Sequence, residues 1–214
     1  MAAVAERGLW LDPAHRADLA AFVERALRLD DAAVIRLRAR SDQVVTAWVA
    51  TGFDVLASRV VAGIVRPDDL SVAADQLARG LSAMDSAGYV DPGFPMDSAW
   101  RGALPPEKGF AHLDDVPARL MLDLAQRGAA LAKEHGSAHG PPASLLDQEV
   151  VRVSAGDVSV GVPMRCVFAL TAMGFLPQSP DAVDADEIVR VRILPTWLRL
   201  DARFGSVCRH RVLL

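Results

Sequence analysis

The side chains best placed for chemistry in this 214-residue chain are two histidine and cysteine pairs and a scatter of carboxylates. His135 and His139 are four apart, a spacing that puts both imidazoles on one face of an unbroken helix, as a zinc site needs. Gly136 between them predicts a helix end instead, and no Glu sits in the intervening turn. Cys208 and His210 are two apart, so on a strand they share a face, the minimum for a thiol–imidazole nucleophile pair. Neighbours on one strand face seldom reach attack geometry, and Arg209 and Arg211 take the other face, so a structural role is the better reading. Asp181, Asp184, Asp186 and Glu187 form an acidic loop without the glycine and distal bidentate Glu of an EF-hand. The pairs Asp30-Asp31, Asp68-Asp69 and Asp114-Asp115 flank expected helix ends, where capping explains them. The chain has no phosphate loop, dinucleotide fingerprint, G-x-S-x-G, H-E-x-x-H or C-x-x-C. The sequence therefore assigns no catalytic residue, no metal ligand and no cofactor.

Binding is the alternative to catalysis, and three groups of residues are candidates. Arg36 and Arg38, with Asp54, lie on one face of an expected sheet, fit for an anionic ligand or a partner's acidic segment. Trp100 as a wall, Arg101 or Arg119 as an anion contact and His112 as a base would make a small-molecule pocket under the 85–114 loop, the enzyme alternative. Arg190, Arg192, Arg199, Arg203, Arg209 and Arg211 alternate with apolar residues, as a β-ribbon reader of nucleic acid would. A net charge of −4 argues against a general phosphate-backbone binder. Lysine occurs only at 108 and 133 and asparagine not at all, while Arg and Ala abound. That bias follows GC-rich codons of a bacterial source and accounts for many of the arginines. Val212, Leu213 and Leu214 form an apolar strand end that needs cover within the fold or on a second subunit.

These residues must be carried by elements legible from periodicity and breakers. Asp115 as cap, Pro117 in the first turn, and Leu120, Leu124 and Leu131 at helical spacing with Met121, Ala125 and Ala132 beside them on one apolar stripe predict a helix over 115–136, closed by Gly136. Gly128 inside it suggests a close approach by another segment. Asp12 and Pro13 predict a helix over 13–29 with Leu19, Phe22, Val23, Ala26 and Leu29 buried, after a loose arm anchored by Trp10 and Leu11. Strands follow over 33–39, 43–50 and 53–65. Two-residue turns would put Ile35, Leu37 and Trp48 on one face; a three-residue first turn would move Trp48 to the side of Arg36 and Arg38. Asp68 or Asp69 caps a second helix carrying Leu70, Ala73, Leu77, Leu81 and Met84. The Gly- and Pro-rich segment to 114 carries Tyr89, Phe94, Trp100 and Phe110, too many aromatics for a linker, so it packs over the surface. A hairpin over 149–162, a buried helix from Pro163 to Gly174, and strands over 188–194, 196–202 and 206–213 complete the chain.

The chain thus reads as α+β: antiparallel sheet covered by amphipathic helices, ordered α-β-β-β-α then α-β-β-α-β-β-β. It forms one compact unit over 1–214, or two lobes, 12–85 and 115–214, joined by 86–114. The first part resembles secretion-chaperone-type folds in element order alone, with no residue motif. No apolar run reaches the roughly 20 residues a spanning helix needs, and Glu6 and Arg7 interrupt any leader, so a cytoplasmic location is expected. The cysteines Cys166 and Cys208 read as small buried hydrophobes. The leading functional reading is a non-catalytic, chaperone-like or protein-interaction module, homodimeric, with a protein partner and without membrane or nucleic acid.

Overall fold

The computed structural model describes residues 7–135, 140–177, 179 and 182–211, with only the backbone of His135. His139, Asp181, Val212, Leu213 and Leu214 lie outside the described residues. The chain divides into two compact units, Met1–Gly52 with Ser58–Ala103, and Phe53–Ala57 with Leu104–Leu214. Both mix helices with antiparallel strands.

The first unit opens with a strand, β1 (Gly8–Leu11), where the sequence suggests a loose arm. A 3-10 turn over Pro13–His15 leads into α1 (Arg16–Leu29), and Asp12 caps the turn by accepting the Ala14 N–H at 2.9 Å. Leu19, Phe22, Val23 and Ala26 are buried as their spacing predicts, while Leu29 frays to 36% exposure. There follow β2 (Val34–Ser41), β3 (Val44–Thr51), β4 (Val55–Arg66), β5 (Asp69–Ala73), α2 (Ala74–Ser82), β6 (Tyr89–Val90) and a 3-10 turn at Asp97–Ala99. The first residues of β4, Val55–Ala57, group with the second unit. The sheet order is β5-β2-β3-β4, and β1 pairs with both β4 and β6. α1 packs on β3 and α2. Each large aliphatic side chain buried in this core contributes about 1.5–3 kcal/mol.

Two expectations fail here. Ile35 and Leu37 oppose Val49 and Ala47 on one side and Val72 and Leu70 on the other, while Trp48 opposes Arg36. Trp48 therefore shares the arginine face, contrary to the two-residue-turn register. The cause is a bulge between Ala39 and Ser41, one extra residue that inverts the facing of everything beyond it. Second, Asp69 starts a strand rather than capping a helix. Leu70 and Val72 are buried against β2, and α2 begins only at Ala74. The outer edge of β5 is occupied: Val72 bridges Pro95, the Met96 N–H donates to the Ser71 carbonyl at 2.8 Å, and the Ser71 N–H donates to the Asp97 carboxylate at 2.6 Å.

The second unit comprises β7 (Ala111–Pro117), α3 (Ala118–His135), a single-turn α4 (Ala143–Leu146), β8 (Glu149–Ala155), β9 (Val158–Pro163), α5 (Met164–Ala172), β10 (Ile188–Leu194), β11 (Trp197–Ala202) and β12 (Gly205–His210). Strands β12-β11-β10-β7 follow one another antiparallel, and β8-β9 form a separate hairpin. Asp115 does not cap α3. It sits in β7 opposite Arg190, and Pro117 is the last strand residue. The first helical N–H, on Ala118, is satisfied by the distant Glu187 carbonyl at 2.8 Å. Only part of the expected apolar stripe of α3 is buried. Met121, Leu122, Ala125 and Gly128 are buried, whereas Leu120 and Leu131 are 41% and 43% exposed. Gly128 faces α5, where a Cβ would lie 2.8 Å from the end of Met164. α5 is buried from Met164 to Leu170, as its all-round apolarity predicts, and Gly174 leaves it with φ of 66°.

Candidate binding surfaces

The residues singled out for a small-molecule pocket are divided between the units. Trp100 and Arg101 belong to the first. The Trp100 indole N–H donates to the Gly102 carbonyl at 3.1 Å, its ring lies 5.7 Å from the Arg36 guanidinium, and Arg101 is exposed. His112 and Arg119 belong to the second unit. His112 meets Asp115 at 2.8 Å on an exposed strand, and Arg119 gives two hydrogen bonds, 3.1 and 2.9 Å, to the Val183 carbonyl, pinning the 182–187 loop. Arg36, placed by sequence among partner-binding residues, instead meets Trp100. Its guanidinium forms a two-pronged pair with Asp69, both bonds 2.7 Å. That hydrogen bond, then the Asp69 and Asp97 charges, raise its pKa against the opposing effect of burial. Arg38, on the same face, is exposed.

The C-terminal arginines are engaged internally. Arg190 approaches Asp115 at 3.9 Å, Arg192 and Arg199 share Asp201 at 3.1 and 2.6 Å, and Arg203 approaches Asp184 at 3.6 Å. Arg209 approaches Asp147 at 3.4 Å, and Arg211 donates to the Leu194 carbonyl at 3.3 Å. A phosphate ligand would have to compete with each of these acceptors.

A tighter centre, not singled out from the sequence, forms around Arg165, which is only 8% exposed. Its Nη1 donates to the Phe53 carbonyl at 2.7 Å, and Nε and Nη2 donate to Asp147 at 3.1 and 2.5 Å. Asp54, 3.6 Å away, holds a left-handed backbone with φ of 57°. The neighbouring cysteines are buried. Burial pushes the Cys166 thiol up to about 12 against the lowering effect of Arg209 and Arg165, and burial pushes Cys208 to about 12 as well. The His210 ring meets the Trp197 ring edge-on at 5.2 Å and is exposed, while Cys208 is buried.

One open groove lies in the second unit. It measures about 370 Å3 and is lined by Leu122, Ala125, Gln126 and Ala129 of α3 and by Thr171, Leu176 and Pro177 at the end of α5. Its two polar members are a neutral amide and a hydroxyl. The Thr171 hydroxyl lies 3.2 and 3.0 Å from the Val167 and Phe168 carbonyls, which accept its proton. The lining thus offers contact area and no titratable group. Sequence reading put Ala125 on the apolar stripe of α3 but not Leu122, Gln126 or Ala129, and so missed the groove. Among the described residues no group of three or more His, Cys, Asp or Glu is arranged to hold a metal ion, and no helix is long and apolar enough to cross a membrane.

Comparison with known proteins matches the two units to two families. Residues 4–102 match the family described as Domain of unknown function (DUF8010), and residues 105–214 match that described as Domain of unknown function (DUF8185). No curated protein matches the chain. The fold is similar to that of bacterial sliding clamps. The DNA polymerase sliding clamp from Bacillus subtilis is 13% identical with a TM-score of 0.58, covering 96% of this chain and 64% of that one. The Caulobacter crescentus pol III beta is 11% identical with a TM-score of 0.56, covering 96% and 65%. The beta subunit of the Streptococcus pyogenes DNA polymerase is 10% identical with a TM-score of 0.58, covering 96% and 64%. This chain therefore spans slightly under two thirds of the length of those clamps.

Proposed function

We propose, for a chain that belongs to the DUF8185 family, a non-catalytic protein-binding module built on the sliding-clamp fold, in which the α3–α5 groove receives an apolar side chain from a partner. The observation that carries this reading is the lining of the groove. Leu122, Ala125, Ala129, Leu176 and Pro177 supply apolar contact, and Gln126 and Thr171 supply neutral polar atoms. A volume of about 370 Å3 lies within the range of small-ligand and side-chain pockets. Binding there needs no acid, base or nucleophile, and the lining provides none. The likeness to proteins named as sliding clamps and polymerase subunits supports a role in assemblies with other proteins. Self-association belongs to the same proposal and is read by light scattering.

Panning a displayed random-peptide library against the full chain tests the module. Peptides with an apolar anchor are expected to enrich. Their affinity is expected to fall at least tenfold in Ala129→Glu, which puts a charge into the groove from an exposed helical position and so spares the fold. Absence of enrichment, or equal binding to Ala129→Glu, overturns the proposal.

A further inference from the structure

The outward side of the sheet in the first unit carries an aromatic patch beside two arginines that have no carboxylate partner among the described residues. Trp10 of β1 lies opposite Ile64 of β4 and opposite Tyr89 of β6, so these three side chains share one face. The Trp10 and Tyr89 rings are 5.4 Å apart and inclined at 57°. Gly8 gives them room: a Cβ there would lie 2.6 Å from the Tyr89 ring. Ile64 is 39% exposed in the middle of the patch. The Arg66 guanidinium lies 5.6 Å from the Trp10 ring centre, a cation–π arrangement.

Arg66 and Ile64 also form one wall of a pocket of about 420 Å3, completed by Arg40, Ser41 and Asp42 at the β2–β3 turn and by Asp68 between β4 and β5. Among the described residues, no carboxylate lies within 4.0 Å of the Arg40 or the Arg66 guanidinium. The arginines of the C-terminal strands, by contrast, all have acceptors. Trp, Tyr and Arg are the side chains that dominate protein interfaces, because they combine apolar area with directional polar contacts. Here they are contiguous, and a guanidinium fork fits a carboxylate through two parallel hydrogen bonds.

We infer that this face docks an extended acidic segment of a partner protein, with an apolar side chain on Trp10 and Ile64 and a carboxylate at Arg40 and Arg66. The inference rests on the protein-binding reading and assigns it a second surface, in the other unit from the groove. Asp42 and Asp68 select among anions. They repel the closely repeated charges of a nucleic-acid backbone, while an isolated carboxylate can sit on the two arginines and avoid them.

The test is fluorescence anisotropy with the labelled extended hexapeptide Leu-Ser-Leu-Ser-Glu-Ser, which sets apolar and acidic side chains on one face, using the full chain. Wild type is expected to bind it, and the glutamine counterpart at least tenfold more weakly. Arg40→Glu with Arg66→Glu is expected to weaken binding at least tenfold, and Arg40→Lys with Arg66→Lys to retain most of it. Both arginines are exposed, so the variants keep the fold, which circular dichroism verifies. The inference is overturned by no binding in wild type, by equal binding of the glutamine peptide, by indifference to the charge reversals, or by displacement of the peptide by single-stranded DNA at lower concentration than by unlabelled peptide. A glutamate peptide that fails to bind wild type while library peptides still enrich removes this surface and leaves the module standing. Failure to enrich any peptide removes both.

Discussion

Replacing Arg165 with methionine separates the two partners that hold this buried cation. Methionine keeps most of the stem packing, so the loss is confined to the guanidinium. The 2.7 Å bond to the Phe53 carbonyl is made by a charged donor 8% exposed, a class of interaction that contributes about 1.5–3 kcal/mol. The contact with Asp147 contributes less, because Asp147 is 55% exposed and its Arg209 contact at 3.4 Å persists. Solvent screening limits such a half-exposed pair to about 1 kcal/mol or below. The expected cost of Arg165→Met is therefore about 2–3 kcal/mol, and that of Asp147→Asn about 1 kcal/mol or less. Urea unfolding followed by fluorescence and by circular dichroism reads both, as a shift of midpoint at constant slope. If Asp147→Asn costs as much as Arg165→Met, the ion pair carries the energy and the backbone bond does not. If Arg165→Met costs under about 1 kcal/mol, the whole assignment of Arg165 as a tether is wrong.

The buried thiols predict a pH dependence with a definite sign. Unfolded cysteine ionises near 8.5, whereas Cys166 and Cys208 hold their protons to about 12 in the fold. Their contribution to stability is complete below about pH 8.5 and declines by about 1.4 kcal/mol per pH unit for each thiol as pH rises toward the folded value. Urea midpoints between pH 8 and 10 should fall more steeply in wild type than in Cys166→Ala with Cys208→Ala, and parallel slopes would contradict the burial argument. Gly80→Ala should destabilise by about 1–3 kcal/mol despite the usual helical gain, since a Cβ would lie 2.0 Å from the Asp91 carbonyl oxygen. Gly128→Ala meets only the movable end of Met164 and the Phe168 ring edge, and should stay within about 1 kcal/mol of wild type in the same denaturation assay.

Elements whose signal is local were legible in the sequence. Pro163 followed by a largely apolar run, interrupted by Arg165, gave α5, Gly156 gave the β8–β9 turn, and alternation gave β10 and β11. Elements defined by a distant partner were not. Asp69–Ala73 and Ala111–Pro117 became strands because β2 and β10 offered ladders, and the Asp signals within them went unused as caps. The single bulged residue at Arg40 was invisible too, and with it the facing of Trp48. Of the candidate site residues, sequence placed Arg36 and Trp100 in separate groups, and only the register of β2 against β5 and the return of the 95–100 segment brought them together. The α3–α5 groove depends on which side of α3 meets α5. The leucines at 120, 124 and 131 with Met121 and Ala125 read as one broad stripe, whereas the structure buries Met121, Leu122, Ala125 and Gly128, the last close against Met164, and exposes Leu120 and Leu131.

The segment that returns to Ser71 and Val72 has a wider effect. An open ladder edge invites any extended chain, including another copy of itself, to continue the hydrogen bonding. Here Pro95 holds the adjoining place, and a proline has no amide proton to pass the pattern onward. At that place the ladder has no donor to offer an incoming strand, which disfavours edge-to-edge zipping of crowded copies.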